Sequence, residues 1–447
     1  MTPEFHTHTL PNGLRVIHAH KAGQVTHCAL VVNAGTRDER KGEEGLAHFI
    51  EHVLFKGTAK RKAFHILNRM ESVGGEINAY TTKEDTWLTS SQRNKDTERA
   101  LELLADVAFR SVFPEGELDK ERDVVLDEIA GVDDTPGDVI FETFDGHLFG
   151  DHALGRPILG TPESVKALTR AQVCNFVDAW YRPTNMVLGV VGNVTWAEVL
   201  SWSEKHFGHV GQGATSSVPS RVAPIRNAGD FVVEARRNVQ QVHHVMGCMV
   251  PGGDHEDKLA MTMVANVLGG PAMNCRLNLN IREKHGMAYH IEANHMMHQD
   301  VGVFNVYYGT DVRFHKRVSD LVHREVNKMR HTKLGVRQLH EAKQQLLGQI
   351  ALSHEHGGHV LSGLAKTFLV HGRVETLDVV VKAIEALTAE DLLQVGHKDR
   401  VQRIYYHVGT VVRHVGPRRH VSVRGWLVVR CSSASITALL WLKIRQT

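Results

Sequence analysis

Two histidines stand four residues apart at His48 and His52, and an acid, Glu51, directly precedes the second. On an α-helix that spacing puts both imidazoles on one face, one turn above the other. Two ring nitrogens so arranged can hold one zinc ion, provided a third protein ligand completes the set and a position stays open for water. Glu51 is then close enough to take a proton from that water as general base. The order His-x-x-Glu-His reverses the commoner His-Glu-x-x-His and is a signature of zinc-assisted peptide hydrolysis. Taken alone, the pentapeptide also suits two histidines that pack or hydrogen-bond on a half-buried helix, because the chain has 31 histidines in 447 residues.

The elements around it must bury the helix and deliver a third ligand. Leu46, Phe49, Ile50, Val53 and Leu54 form the apolar stripe that would seat the helix against a sheet. Downstream, Leu118, Val125 and Ile129 repeat at helical spacing, and Pro114 just before them fits a helix start. Glu121 and Glu128 are seven residues apart, two turns along one face of that helix. One of them can ligate a metal while the other supports a ligand from behind. The solvated acidic face of a long helix accounts for both just as well.

Further segments, taken in order, narrow the choice. They are Leu10-Pro11-Asn12-Gly13-Leu14-Arg15-Val16, Gly35-Thr36-Arg37-Asp38-Glu39, His48 to Thr58, Gly75-Glu76-Ile77-Asn78-Ala79-Tyr80-Thr81, and Glu121 to Glu128. Leu154-Gly155-Arg156-Pro157-Ile158-Leu159-Gly160 follows, and Ile281-Arg282-Glu283-Lys284-His285-Gly286-Met287-Ala288-Tyr289 lies in the second half. With these the chain resembles the pitrilysin and mitochondrial processing peptidase family of zinc proteases over most of its first 410 residues.

The resemblance implies that His48, His52 and Glu128 are the zinc ligands, that Glu51 activates water, and that Glu121 is the supporting carboxylate. It implies that Arg282 and Tyr289 reach the substrate from the second half. Asn78, Ala79 and Tyr80 would lie on an exposed edge strand to which a peptide adds as a further strand, although simple packing also explains Tyr80. Asp138 and Glu142, one turn apart, fall where processing peptidases receive a substrate arginine; an exposed helix face explains them too. The implied function is a zinc endopeptidase acting on unfolded peptides or precursor segments. A catalytically silent partner subunit and a protein with purely structural zinc are the alternatives. Half-length members of the family pair around a chamber, so a homodimer, or a heterodimer with a related subunit, is expected.

Composition sets the wider frame. At 447 residues the chain is too long for one ordinary core. Seven basic residues and no acidic one lie between Val411 and Thr447, which leaves 45 basic against 50 acidic residues before them, a net charge of −5. A mildly acidic body gives no reason to expect nucleic acid as a partner. Cys28, Cys174, Cys248, Cys275 and Cys431 have no paired spacing, which favours isolated thiols in a reducing compartment. The first residues carry no secretory or organellar pattern and no apolar run is long enough to span a bilayer, so a cytoplasmic protein is expected. The other histidines, such as His243, His244, His295, His298, His354, His356 and His359, read as incidental surface residues.

The expected fold class is α+β, with two similar domains in tandem, each a mixed, mainly antiparallel sheet packed against helices. Strands are expected at Gly13 to His20, Val25 to Val32, Ile77 to Thr82, Asp85 to Ser91 and Met186 to Val191. Helices should cover Ala63 to Val73, Asp96 to Arg110, Pro114 to Ala130 and Asp138 to Phe149, with one more running from Thr161 to about Tyr181 and another from Thr195 to Phe207. Residues 1–207 form the expected metal-binding domain and 208–230, rich in Gly, Ser and Pro, the linker. Residues 231–410 repeat the plan without a His-x-x-Glu-His, and 411–447 are a basic tail without assigned function.

Overall fold

Residues 186–192, Met-Val-Leu-Gly-Val-Val-Gly, form a strand buried at every position, as a strand covered on both faces requires. The computed structural model that contains it describes residues 5–211, 220–225, 232–235, 239–398 and 405–408. The basic tail at 411–447 and most of the linker at 208–230 lie outside the described residues. In the first half the order is β1 (Phe5–Thr9), β2 (Arg15–His20), β3 (Val25–Val32), α1 (Leu46–Val53), α2 (Ala63–Glu71), β4 (Glu76–Thr81), β5 (Thr86–Arg93), α3 (Thr97–Arg110), α4 (Glu115–Asp133), α5 (Pro136–Phe149), α6 (Pro162–Ala167), α7 (Arg170–Trp180), β6 (Met186–Gly192) and α8 (Trp196–Phe207). The second half adds β7 (Val232–Ala235), β8 (Val242–Pro251), α9 (Lys258–Gly269), β9 (Ala288–Met297), β10 (Val301–Thr310), α10 (His315–His331), α11 (Val336–His354), α12 (Gly357–His371), α13 (Leu377–Ala386), α14 (Ala389–Lys398) and β11 (Tyr405–Val408).

The fold is α+β, two tandem domains of one plan. The first sheet runs β1-β2-β6-β3-β5-β4 and the second β7-β11-β8-β10-β9. Each has one parallel pair, β2 with β6 and β7 with β11, and is otherwise antiparallel. In the first sheet Leu30 of β3 stands opposite Leu188 of β6 and Leu88 of β5, and all three are fully buried.

Compactness does not follow chain order. One unit gathers described residues from Met1–Ile129, Arg156–Val222 and Ser353–Asp378, and the other from Ala130–Gly155, Ala223–Leu352 and the segment after Val379. The reason is apolar packing by two helices. In the first unit α12 lies on β6, β3 and β2. It comes close because Gly189 has no side chain: a Cβ there would stand 2.6 Å from Leu361 Cδ1. In the second unit Ile140, Phe144, Leu148 and Phe149 of α5 pack with Val245, Val301 and Val303 of the sheet.

Two local features differ from the sequence expectation. The helix expected from Thr161 to Tyr181 is two helices, because Thr169 starts a new one: its hydroxyl accepts from the Gln172 amide, and the Gln172 side chain accepts from the Thr169 amide. β1 is an additional outer strand with alternating Thr and His, largely exposed, so no apolar alternation marks it.

Candidate metal centre

α1 packs against β4 and α7 in the first unit through buried Leu46, Phe49, Ile50 and Val53. That leaves His48 and His52 on the face toward α4, their rings 4.7 Å apart between centroids. Glu128 of α4 reaches both: its Oε2 stands 3.6 Å from His48 Nε2 and 3.5 Å from His52 Nε2. All three donor atoms lie within 4.8 Å of one another, and no other such group of histidine, cysteine and acidic residues occurs among the described residues. Donors bound to one zinc at about 2.0–2.1 Å in a tetrahedron stand about 3.3 Å apart. Two imidazoles and one carboxylate, spaced as they are here, therefore fit a zinc ion with little movement.

The second glutamate of α4 has a different place. Glu121 is buried and pairs through Oε2 with His52 Nδ1 at 3.2 Å, which turns Nε2 of that ring toward Glu128. Its other oxygen accepts from Lys56 Nζ at 2.6 Å. Burial pulls the His52 pKa down, but the hydrogen bonds to Glu128 and Glu121 outweigh it and the net shift is upward. Lys56 is not among the residues that the motif picks out; its signal in the sequence is its position one turn beyond His52.

Glu51 follows the helix round toward β4. Burial raises its pKa, opposed by hydrogen bonding with Thr81 and by the charge of His52. One of its oxygens, Oε2, is buried without a protein hydrogen-bond partner. A buried acceptor with spare capacity beside two imidazoles is what a proton-accepting base needs.

Among the described residues β4 ends the first sheet and pairs only with β5. Asn78 is exposed on it and Ala79 buried. The Tyr80 ring stacks on Trp87, 5.6 Å between centroids, and burial pushes its hydroxyl well above the ordinary range. In the second unit, Asp138 is buried, not on an open helix face, and Glu142 is half-buried on α5. The Tyr307 hydroxyl near Asp138 is raised by burial, by Glu292 and by Asp138 itself. Arg282 belongs to a π-helical turn, Asn278–Glu283, and is exposed, as is Tyr289 at the start of β9.

The reading of the remaining histidines as surface residues is corrected at His244 and His295. Both are 1% exposed, and in each a hydroxyl meets one ring nitrogen: Tyr308 pairs with His244 Nδ1 at 2.9 Å and Thr262 with His295 Nδ1 at 3.1 Å.

The family description "Insulinase (Peptidase family M16)" matches residues 15–162, and "Peptidase M16 inactive domain" matches residues 167–346. An uncharacterized zinc protease of Mycobacterium leprae is 34% identical over 392 residues, covering 87% of this chain and 88% of the relative. Another, from Mycobacterium tuberculosis, is 32% identical over 423 residues and covers 92% and 91%. Among solved structures, a protease from Helicobacter pylori superposes with a TM-score of 0.86 at 22% identity, over 91% of this chain and 99% of that one. A peptidase M16 inactive domain from Pseudomonas fluorescens gives 0.83 at 18% identity, over 91% and 98%. No helix of the described residues is long and apolar enough to cross a membrane. From its sequence relatives and the family matches together, this chain belongs to the insulinase family of zinc proteases, peptidase family M16.

Proposed function

We propose that the chain is a zinc metalloendopeptidase that hydrolyses peptide bonds in unfolded peptides or precursor segments. The observation that carries this reading is the convergence of His48 Nε2, His52 Nε2 and Glu128 Oε2 beside the half-buried Glu51. Zinc held by those three residues supplies Lewis-acid chemistry, polarising a peptide carbonyl and making water a nucleophile near neutral pH. Glu51 takes the proton of the attacking water at its carboxylate and passes it to the leaving amine. Glu121 fixes the His52 ring by holding Nδ1, and Lys56 keeps Glu121 in place.

The edge of the first sheet at Asn78, Ala79 and Tyr80 offers main-chain groups to a peptide in extended conformation, which binds with little demand on sequence. Arg282 and Tyr289 are assigned to orienting the peptide or steadying its oxyanion, and Asp138 and Glu142 to favouring a basic residue near the cut. A dimer, with itself or with a related subunit, belongs to the same reading. So does a cytoplasmic location, where the thiols of Cys28, Cys174, Cys248 and Cys275 stay reduced.

The test is cleavage of a quenched peptide library by the wild type and by Glu51→Gln, with zinc content measured on both. Zinc retained with turnover lost supports the assignment. Cleavage by Glu51→Gln at the wild-type rate, or no cleavage by either protein, would sink it.

A further inference from the structure

Two stretches that the zinc chemistry does not use, Gly35 to Glu39 and Arg156 to Gly160, meet at the start of the metal helix. α1 begins behind Gly45, which has φ +90°, offers no capping side chain and is followed by no acid in the first turn. The first amides of a helix have no partner within it and need an acceptor from elsewhere. Glu39 supplies one from upstream in the chain: its Oε2 accepts from the Gly45 amide at 3.1 Å and its Oε1 from the Ala47 amide at 2.8 Å.

Glu39 is itself held. It is 5% exposed, and Arg156 Nη1 donates to its backbone carbonyl at 2.8 Å. Lys83 donates to the backbone carbonyl of Arg156; burial raises the Glu39 carboxyl well above the usual carboxylate range, opposed by the two amides and by the charges of Lys83 and Arg156. The backbones close around this network. At Gly160, φ +75°, a Cβ would stand 2.2 Å from Glu44 O; at Gly45 it would stand 2.5 Å from Leu159 O. Only glycine lets the two loops meet so closely. Ser164 Oγ ties the same place by donating to Glu44 O at 2.7 Å.

We propose that Glu39 is a positioning residue for the metal centre: its side chain, on a backbone held by Arg156, sets the register and angle at which α1 presents His48, Glu51 and His52. The proposal rests on the zinc reading given above. Glu39 acts through the helix and not on metal or substrate. α1 is eight residues long, too short to be stable by itself, and His48 is the residue directly after the capped Ala47 amide. A first turn that frays or shifts therefore moves a ligand before it moves anything else.

The full-length chain is compared with Glu39→Ala, Glu39→Gln and, as a control, Val199→Ala, a buried residue of α8 in the same unit. Four quantities are read: zinc affinity against a chromophoric chelator, kcat and KM on a quenched peptide, hydrogen exchange of the Gly45 and Ala47 amides, and Tm. Glu39→Ala should bind zinc about 10- to 100-fold more weakly, lose kcat with KM little changed, and exchange faster at both amides. Glu39→Gln keeps one carbonyl oxygen and should fall between it and the wild type. It carries the test alone if Glu39→Ala does not fold. Val199→Ala should lower Tm and leave zinc affinity and the two amides as they were. Wild-type zinc affinity and exchange in both Glu39 variants overturns the proposal, and so does an equal loss of zinc in Val199→Ala. If the wild type binds no zinc and cleaves nothing, the zinc reading fails, and exchange at Gly45 and Ala47 still decides whether Glu39 holds the helix.

Discussion

With its outer strand β1 set aside, the first sheet runs β2-β6-β3-β5-β4, and the second runs β7-β11-β8-β10-β9 with the same succession of parallel and antiparallel pairs. In each, a helix follows the strand that becomes the third in this order: α1 in one, α9 in the other. α1 carries His48, Glu51 and His52, whereas α9, Lys-Leu-Ala-Met-Thr-Met-Val-Ala-Asn-Val-Leu-Gly, has no histidine and no acid and is buried over most of its length. The second unit still buries histidines, but their neighbours are hydroxyls: Thr262 beside His295, Tyr307 beside His243 at 2.8 Å, Tyr308 beside His244. Burial lowers His243 and His295 to about 4, so both rings are neutral at physiological pH. In the first unit the neighbours are Glu121 and Glu128, and the net shift at His52 is upward. The same residue type on the same plan becomes a candidate ligand where carboxylates face it and a packing residue where hydroxyls do.

The largest effect should come from substituting a histidine in each unit. His48→Ala or His52→Ala should empty the protein of zinc and lower kcat/KM roughly 10³-fold or more. His295→Ala should leave zinc content and turnover alone and cost ~1–3 kcal/mol of stability for the buried ring that is lost, the Thr262 hydroxyl keeping its bond to the Lys258 carbonyl. Metal analysis with urea unfolding reads both. Zinc retained by His48→Ala, or lost by His295→Ala, would break the contrast.

Acid should act on the packed histidines next. Their folded pKa values lie below the ordinary 6.5, so the unfolded chain binds protons first as pH falls. The stability they contribute is complete above pH 6.5 and is lost as pH falls from there toward 4. For His295 the full loss is ~3 kcal/mol. His18 in the first unit, also lowered to about 4 by burial, adds a similar slope. Urea unfolding at pH 7 and pH 4.5 should show His295→Gln losing less stability than the wild type over that range. An equal loss would mean that the ring is not held neutral by burial.

The sequence makes legible what is periodic or local. The apolar stripe of α1 and the four-residue step between His48 and His52 are helical periodicities. Spacing alone does not say which glutamate of α4 lies between the two imidazoles, because Glu121 and Glu128 share a face; the crossing of α1 and α4 in three dimensions places Glu128 by both Nε2 atoms and Glu121 behind one ring. Glu39 is illegible for a related reason. A cap delivered from a loop several residues upstream leaves no periodic trace, and Gly45 in the capping position reads as a bare start. The docking of α12 in the first unit is equally hidden, since Gly189 and Leu361 meet from distant parts of the chain.

Local caps are the opposite case, and they give the smallest and most even effect. Thr169 and Gln172 start α7 in the first unit, and Thr388 and Asp391 start α14 in the second with the same reciprocal bonds, the Thr388 amide donating to Asp391 Oδ2 at 2.7 Å and the Asp391 amide to Thr388 Oγ1 at 3.2 Å. Neither pair bonds to His48, His52 or Glu128. Thr169→Ala and Thr388→Ala should therefore each cost ~1 kcal/mol, whichever unit holds them, with zinc affinity unchanged in both. Thermal unfolding of the two variants beside Glu39→Ala separates the kinds of cap. If Thr169→Ala weakened zinc as Glu39→Ala is expected to, any loosening of the first unit would reach the metal, and the difference between the units would lie in rigidity and not in which side chains face the histidines.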